Sequence, residues 1–171
     1  MKGFKLMRVP SIALIIIIMS VSASNVAVSQ SSIRDSNCID LTRFGNLDSL
    51  VNANWMSDPD LARIYARQAY AMAKKSGSVK NIVRSMYLVS RTMSSMDQDS
   101  SVFILNSALS LSKKYQYDGE TAGLLYSLAL LYTRAGETKL ALRCLDSARV
   151  IAQNNNQNGI MARIYNSLGN A

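Results

Sequence analysis

Apolar residues recur at three- and four-residue steps through most of the chain, and short polar or glycine-containing segments separate these stretches. This period is typical of amphipathic helices that bury one face. Asp58-Pro59 is typical of a helix start, an aspartate cap followed by proline at the first helical position. Asp99 or Ser100 is expected to cap a later helix. The pattern predicts about seven helices and no strands, at about 47–55, 59–75, 79–95, 100–114, 120–135, 138–154 and 159–171.

Two sets of residues mark an internal repeat with a spacing of 39 or 40 positions. One set is Ala69, Ala108 and Ala148, and the other is Leu88, Leu128 and Leu168. The predicted units are 47–78, 79–118, 119–158 and a partial unit 159–171, each a helix, a turn and a helix. Because each hairpin carries apolar residues on more than one face, it can bury them only against its neighbours. The fold class is therefore all-α, a stack of antiparallel helical hairpins.

One unit resembles a tetratricopeptide repeat. Its matching positions are Leu125, Leu128, Ala129, Tyr132, Gly136, Ala141, Leu145 and Ala148, and the partial unit matches at Tyr165, Leu168 and Gly169. Leu125 stands where this family usually has tryptophan, Gln153 where it usually has proline, and the period exceeds the family's usual ~34 residues. The resemblance implies a right-handed superhelical stack that binds proteins or peptides.

Small residues are expected where two helices of a hairpin cross closely, since a larger side chain would separate the helix axes. Ala129, Ala141, Ala148 and Gly169 fit this role. Their interpretation is structural.

The resemblance also assigns a concave groove to the first helix of each hairpin. The corresponding residues are Val83, Met86, Ser90, Met93, Tyr126, Leu130, Thr133, Arg134, Arg163, Asn166 and Asn170. Methionine and tyrosine in such a groove favour an apolar or helical peptide. Family members that bind C-terminal carboxylates have Lys, Asn and Arg where this chain has Met86, Ser90, Tyr126 and Leu130, which argues against that activity. The alternative is that these side chains pack on neighbouring repeats.

Composition argues against catalysis. The chain has no histidine, which removes the commonest general base and metal ligand. Cys38 and Cys144 have neither metal-site nor redox-motif spacing, and the helical layout separates them too far for a disulfide. Asp97 and Asp99 lie between helices, where capping is the simpler interpretation. The sequence predicts a protein that is not an enzyme and has no cofactor or metal.

The first 29 residues have the layout of a secretory signal peptide. Lys2, Lys5 and Arg8 precede the apolar run 12–21, and small residues follow, with cleavage predicted after Ala23 or Ser29. The run is shorter than the ~20 residues of a membrane span, although an uncleaved signal anchor is the alternative. Residues 30–46 are expected to form a loosely ordered lead-in. The protein is thus predicted to be periplasmic or secreted, or else membrane-anchored by its N-terminal segment.

Losing the three leader charges lowers the formal net charge from +8 to +5. The remaining basic residues are scattered along the helices, whereas nucleic-acid binding favours a clustered stripe. No nucleic-acid partner is therefore predicted.

The sequence stops within its last predicted helix, which carries Ile164, Tyr165 and Leu168. These residues predict an open apolar strip through which copies of the chain could associate. Exported repeats directly after a leader also resemble the sensor regions of bacterial signalling proteins. The alternative function is therefore the N-terminal sensor fragment of a larger membrane histidine kinase or transcriptional regulator.

Overall fold

The computed structural model describes residues 42–93 and 97–169, which form seven helices and no strands. Helix α1 comprises residues 42–54, and the others are α2 (Pro59–Ser76), α3 (Val79–Met93), α4 (Gln98–Lys114), α5 (Asp118–Arg134), α6 (Thr138–Asn154) and α7 (Asn158–Gly169). Each helix from α2 onward packs on the next one along the chain. The predicted all-α helical repeat stack is confirmed. The predicted leader 1–29, Cys38 and Asn170 lie outside the described residues, as does most of the predicted lead-in.

Three helix starts differ from their predictions by two residues or more. Residues 42–46 are helical and Phe44 is buried, so the part of the predicted lead-in that the structure describes belongs to α1. Asp97 caps α4, rather than Asp99 or Ser100, by accepting a 2.9 Å bond from the Ser100 N–H and another from the Ser100 hydroxyl. These bonds lower the pKa of the Asp97 carboxyl because they stabilise its charged form. Gly119, predicted to lie in a break, is in the first turn of α5.

The turns after α4, α5 and α6 share one geometry. Each ends with a backbone bond of 2.9 Å that reaches back five residues, from Tyr117 to Ser112, from Glu137 to Tyr132 and from Gln157 to Ala152. The residue before each donor, Gln116, Gly136 or Asn156, has a positive φ between 54° and 75°. This is the left-handed helix termination that satisfies the last carbonyl groups. Because the three turns share this geometry, the chain reverses its direction in the same way after α4, α5 and α6.

Helices α2, α4 and α6 bury four positions in the same register. These are Ala62, Ala66, Ala69 and Ala73 in α2; Ser101, Leu105, Ala108 and Ser112 in α4; and Ala141, Leu145, Ala148 and Ala152 in α6. Mostly small residues on this face let neighbouring helices approach closely. Ala129 is buried as predicted, but Gly169 is exposed and a Cβ there would meet no atom within 4 Å, so the predicted close crossing at Gly169 is wrong.

The core consists of three clusters that follow one another along the stack. The first includes Phe44, Val51 and Leu88; the second includes Val83, Leu105 and Leu128; the third includes Leu125, Leu145 and Ile164. Helices α3 and α5 each contribute to two clusters, so the stack is held by nearest-neighbour packing.

The predicted apolar strip on α7 is not open as expected. Ile164 is fully buried and Leu168 is half-buried against the third cluster, while Tyr165 is 56% exposed. The register of α7 turns the two aliphatic side chains towards α5 and α6. Of the three residues, Tyr165 alone faces outward.

None of the described helices combines the length and the apolar character that crossing a membrane requires.

Candidate binding groove

The odd-numbered helices form the inner side of the stack. Helix α3 contacts α5 and α5 contacts α7, whereas α4 contacts neither α2 nor α6. Helices that are closer together on one side make that side concave. The first helix of each hairpin therefore lies on the concave face.

Two adjoining hollows of about 700 Å³ and 560 Å³ lie on this face. They share Asn52, Tyr87, Arg91, Tyr126 and Arg163, so they form one groove. Apart from Leu105 of α4, all the lining residues in the described part of the chain belong to α1, α3, α5 or α7 or directly flank one of these helices. The groove runs across all the hairpins.

Arginines stacked on aromatic rings build the wall between α1 and α3. The Arg91 guanidinium lies 5.1 Å from the ring centre of Trp55 and 5.6 Å from that of Tyr87. Its Nη2 donates a 2.8 Å hydrogen bond to Asn52 Oδ1. Since a guanidinium is attracted to the faces of aromatic rings, these contacts hold the head group in place.

Neighbouring charges on α3 are neutralised within the fold. Arg84 donates two 3.1 Å bonds to the carboxylate of Asp48 in α1 and lies 5.1 Å from the ring centre of Tyr87. Lys80 Nζ lies 3.7 Å from Glu120 of α5. Both ion pairs link one odd-numbered helix to another, and each of the two carboxylates is already paired with a basic side chain.

The smaller hollow is strongly basic. It is lined by Arg91, Arg134 and Arg163 together with Trp55, Tyr87 and Tyr126, and none of the described residues that line it is an aspartate or a glutamate. Arg134 and Arg163 are exposed and form no ion pair with any residue in 42–93 or 97–169. This part of the groove therefore attracts negative charge.

The structure places the sequence-predicted groove residues in three groups. Val83, Ser90, Tyr126, Leu130, Arg134 and Arg163 line the groove. Met86 packs against the second core cluster, Met93 is half-buried, and Thr133 and Asn166 are exposed, all four away from the lining. Asn170 lies outside the described residues. The methionines expected to give the groove an apolar character are therefore not part of its lining.

Sequence reasoning missed the residues that define the basic and aromatic character of the α3 wall, Arg84, Tyr87 and Arg91, and their partners Asn52 and Trp55. On α3 the predicted Val83 and Ser90 line the groove, but Tyr87 lines it where Met86 was predicted. The spacing of three and four residues among Arg84, Tyr87 and Arg91 was available as a signal that they share a face. Asn52 and Trp55 lie in the first unit, where the repeat signature is weakest.

No arrangement in the described part of the chain points to metal or thiol chemistry. No three His, Cys, Asp or Glu side chains come together there as a metal site would require. Burial raises the pKa of the Cys144 thiol, against smaller opposing effects of Arg143 and Lys113. A thiol that stays protonated is a poor nucleophile.

No model of a known protein family matches the chain, and no curated protein sequence matches it. The resemblance to tetratricopeptide repeats therefore rests on the residues of this sequence. The geometry of the groove is a second line of argument about function, which does not depend on that resemblance.

Proposed function

We propose that this protein is an exported, non-catalytic scaffold of the tetratricopeptide-repeat kind, and that its groove binds a segment of a partner protein. The observation that carries the proposal is the continuous groove built by α1, α3, α5 and α7. A groove shared by successive hairpins suits an elongated ligand, because each helix adds contacts along its length.

The lining chemistry supports recognition of a protein segment. Tryptophan, tyrosine and arginine dominate the energetics of protein interfaces, since they bury large areas and still offer polar contacts. Here Tyr87, Arg91 and Tyr126 line both hollows, and Trp55 lines the smaller one. Ser167 Oγ lies 3.4 Å from the Tyr126 hydroxyl oxygen, which ties this side chain to α7.

Peptide selection on the full chain tests the proposal. A displayed library of random dodecapeptides is selected on the immobilised protein, and each binder is titrated by fluorescence anisotropy. The double substitution Trp55→Ala, Tyr126→Ala is expected to weaken binding by at least about tenfold.

The matched control is Phe103→Ala, Tyr165→Ala, which removes two aromatic rings that are 73% and 56% exposed and lie outside the groove. It should leave the affinity unchanged, and circular dichroism should show both variants folded. A selection without binders, or binders equally sensitive to both variants, would contradict a peptide-binding groove.

Export is a separate expectation of the same proposal. Fractionation and N-terminal sequencing should find the protein outside the cytoplasm with its first residue between Ser24 and Gln30, because the leader has a cleavable layout. Intact Met1 on a cytoplasmic product would contradict export. Intact Met1 in the membrane fraction would instead support the anchor.

A further inference from the structure

We propose that the segment bound in the groove is an acidic peptide whose carboxylates are held by Arg91, Arg134 and Arg163. This inference rests on the proposed function and specifies the chemistry of its ligand. The three arginines come from three different helices, α3, α5 and α7, and line one hollow. They are not at the positions of Met86, Ser90, Tyr126 and Leu130, where the family resemblance would place a carboxylate clamp.

The internal ion pairs indicate where a ligand carboxylate can bind. Arg84 and Lys80 already face the carboxylates of Asp48 and Glu120. Among residues 42–93 and 97–169, none that lines the smaller hollow is acidic, and Arg134 and Arg163 are exposed. Like charges that converge on one hollow repel one another, and a ligand carboxylate between them relieves that repulsion. The exposed charges of Arg134 and Arg163 therefore lie together in the smaller hollow.

The guanidinium of Arg91 is already held in position without a ligand. Its guanidinium is held by the rings of Trp55 and Tyr87 and by Asn52 Oδ1. Because guanidinium edges donate in pairs to the two oxygens of a carboxylate, a fixed head group loses little freedom when it binds one.

The neighbouring surface favours a peptide over a nucleic acid. Trp55, Tyr87 and Tyr126 line the same hollow as the arginines, which suits acidic residues interspersed with apolar or aromatic ones. In the adjoining hollow Arg84 and Lys80 are paired with Asp48 and Glu120, so their charges do not extend the basic surface along the groove as the continuous stripe that a phosphate backbone would follow. A peptide can place neutral residues there.

The test uses two fluorescein-labelled dodecapeptides and the full chain. One peptide alternates Asp and Glu with Tyr, Leu and Phe, and the other carries Asn and Gln in place of each acid. Anisotropy titrations at about 50 mM and about 300 mM NaCl should show the acidic peptide binding at least about tenfold more tightly, with the difference shrinking in high salt.

Charge-matched variants then locate the effect. Arg134→Gln, Arg163→Gln should remove most of the preference for the acidic peptide and leave binding of the amide peptide unchanged. Arg67→Gln, Arg143→Gln lowers the net charge equally at two exposed positions outside the groove, and should preserve the preference.

Each contrary outcome has a distinct meaning. Equal binding of both peptides, dependent on Trp55 and Tyr126, would overturn the acidic ligand and retain the proposed function. If both double arginine variants lost the preference for the acidic peptide equally, the proposed site would be wrong, because only the net charge of the protein would then matter. Tighter binding of a single-stranded oligonucleotide than of the acidic peptide, dependent on Arg134 and Arg163, would show a nucleic-acid partner instead. If neither peptide binds and the selection also finds no binder, the proposed function fails with it.

Discussion

Replacing Leu145 by alanine is expected to lower the free energy of unfolding by about 2–5 kcal/mol. Leu145 is 3% exposed and belongs to the third core cluster, together with Leu125 and Ile164. Its truncation would remove apolar contacts and leave a cavity among three helices. Because each cluster joins only neighbouring helices, no distant part of the stack can compensate for the loss.

The matched control is Leu142→Ala on the same helix. Leu142 is 40% exposed, and alanine favours the helical backbone, so the cost should stay below about 1 kcal/mol. Urea unfolding followed by circular dichroism at 222 nm compares the two variants directly. Similar losses for Leu142→Ala and Leu145→Ala would mean that the buried face of α6 has been assigned incorrectly.

Enlarging Ala148 to leucine should destabilise the fold by about 1–3 kcal/mol through overpacking. Ala148 has no exposed surface and sits in the third cluster, on the small-residue face that α6 shares with α2 and α4. Extra methyl groups there would push α6 away from its neighbours. Ala69→Leu, at the equivalent position of α2, should cost a similar amount.

Ala71→Leu provides the control, since Ala71 is exposed on α2 only two residues from Ala69. It should change the free energy of unfolding by less than about 0.5 kcal/mol. Thermal and urea unfolding of the three variants measure the difference. If Ala71→Leu lowered the free energy of unfolding as much as Ala69→Leu and Ala148→Leu, overpacking would not be the cause. Close helix packing would then not explain why small residues repeat in the same register.

The positions of the helices could be predicted from the sequence because their causes are local. Apolar spacing, Asp58-Pro59 and the glycine turns act within a few residues, and the structure has α6 over the predicted range 138–154. Leu88 and Leu128, two markers of the 40-residue recurrence, are both buried, since equivalent positions in stacked hairpins meet equivalent neighbours, whereas the third marker, Leu168 on the last helix, is half-buried. The predicted cap residue of α4 was wrong because the sequence offers both Asp97 and Asp99 as caps, and only the backbone geometry selects between them.

The character of the groove was decided only by tertiary structure. A shift of one residue turns a helix face by about 100°, so Tyr87 lines the groove where Met86 was predicted, and Arg91 lines it beside Ser90. That rotation depends on how α3 packs against α1, α4 and α5 together. The sequence by itself determined the helices, their repeat and most of the buried small residues. Packing between helices decided which side chains meet across the groove and that Ile164 is covered, because these contacts join residues that no local pattern relates.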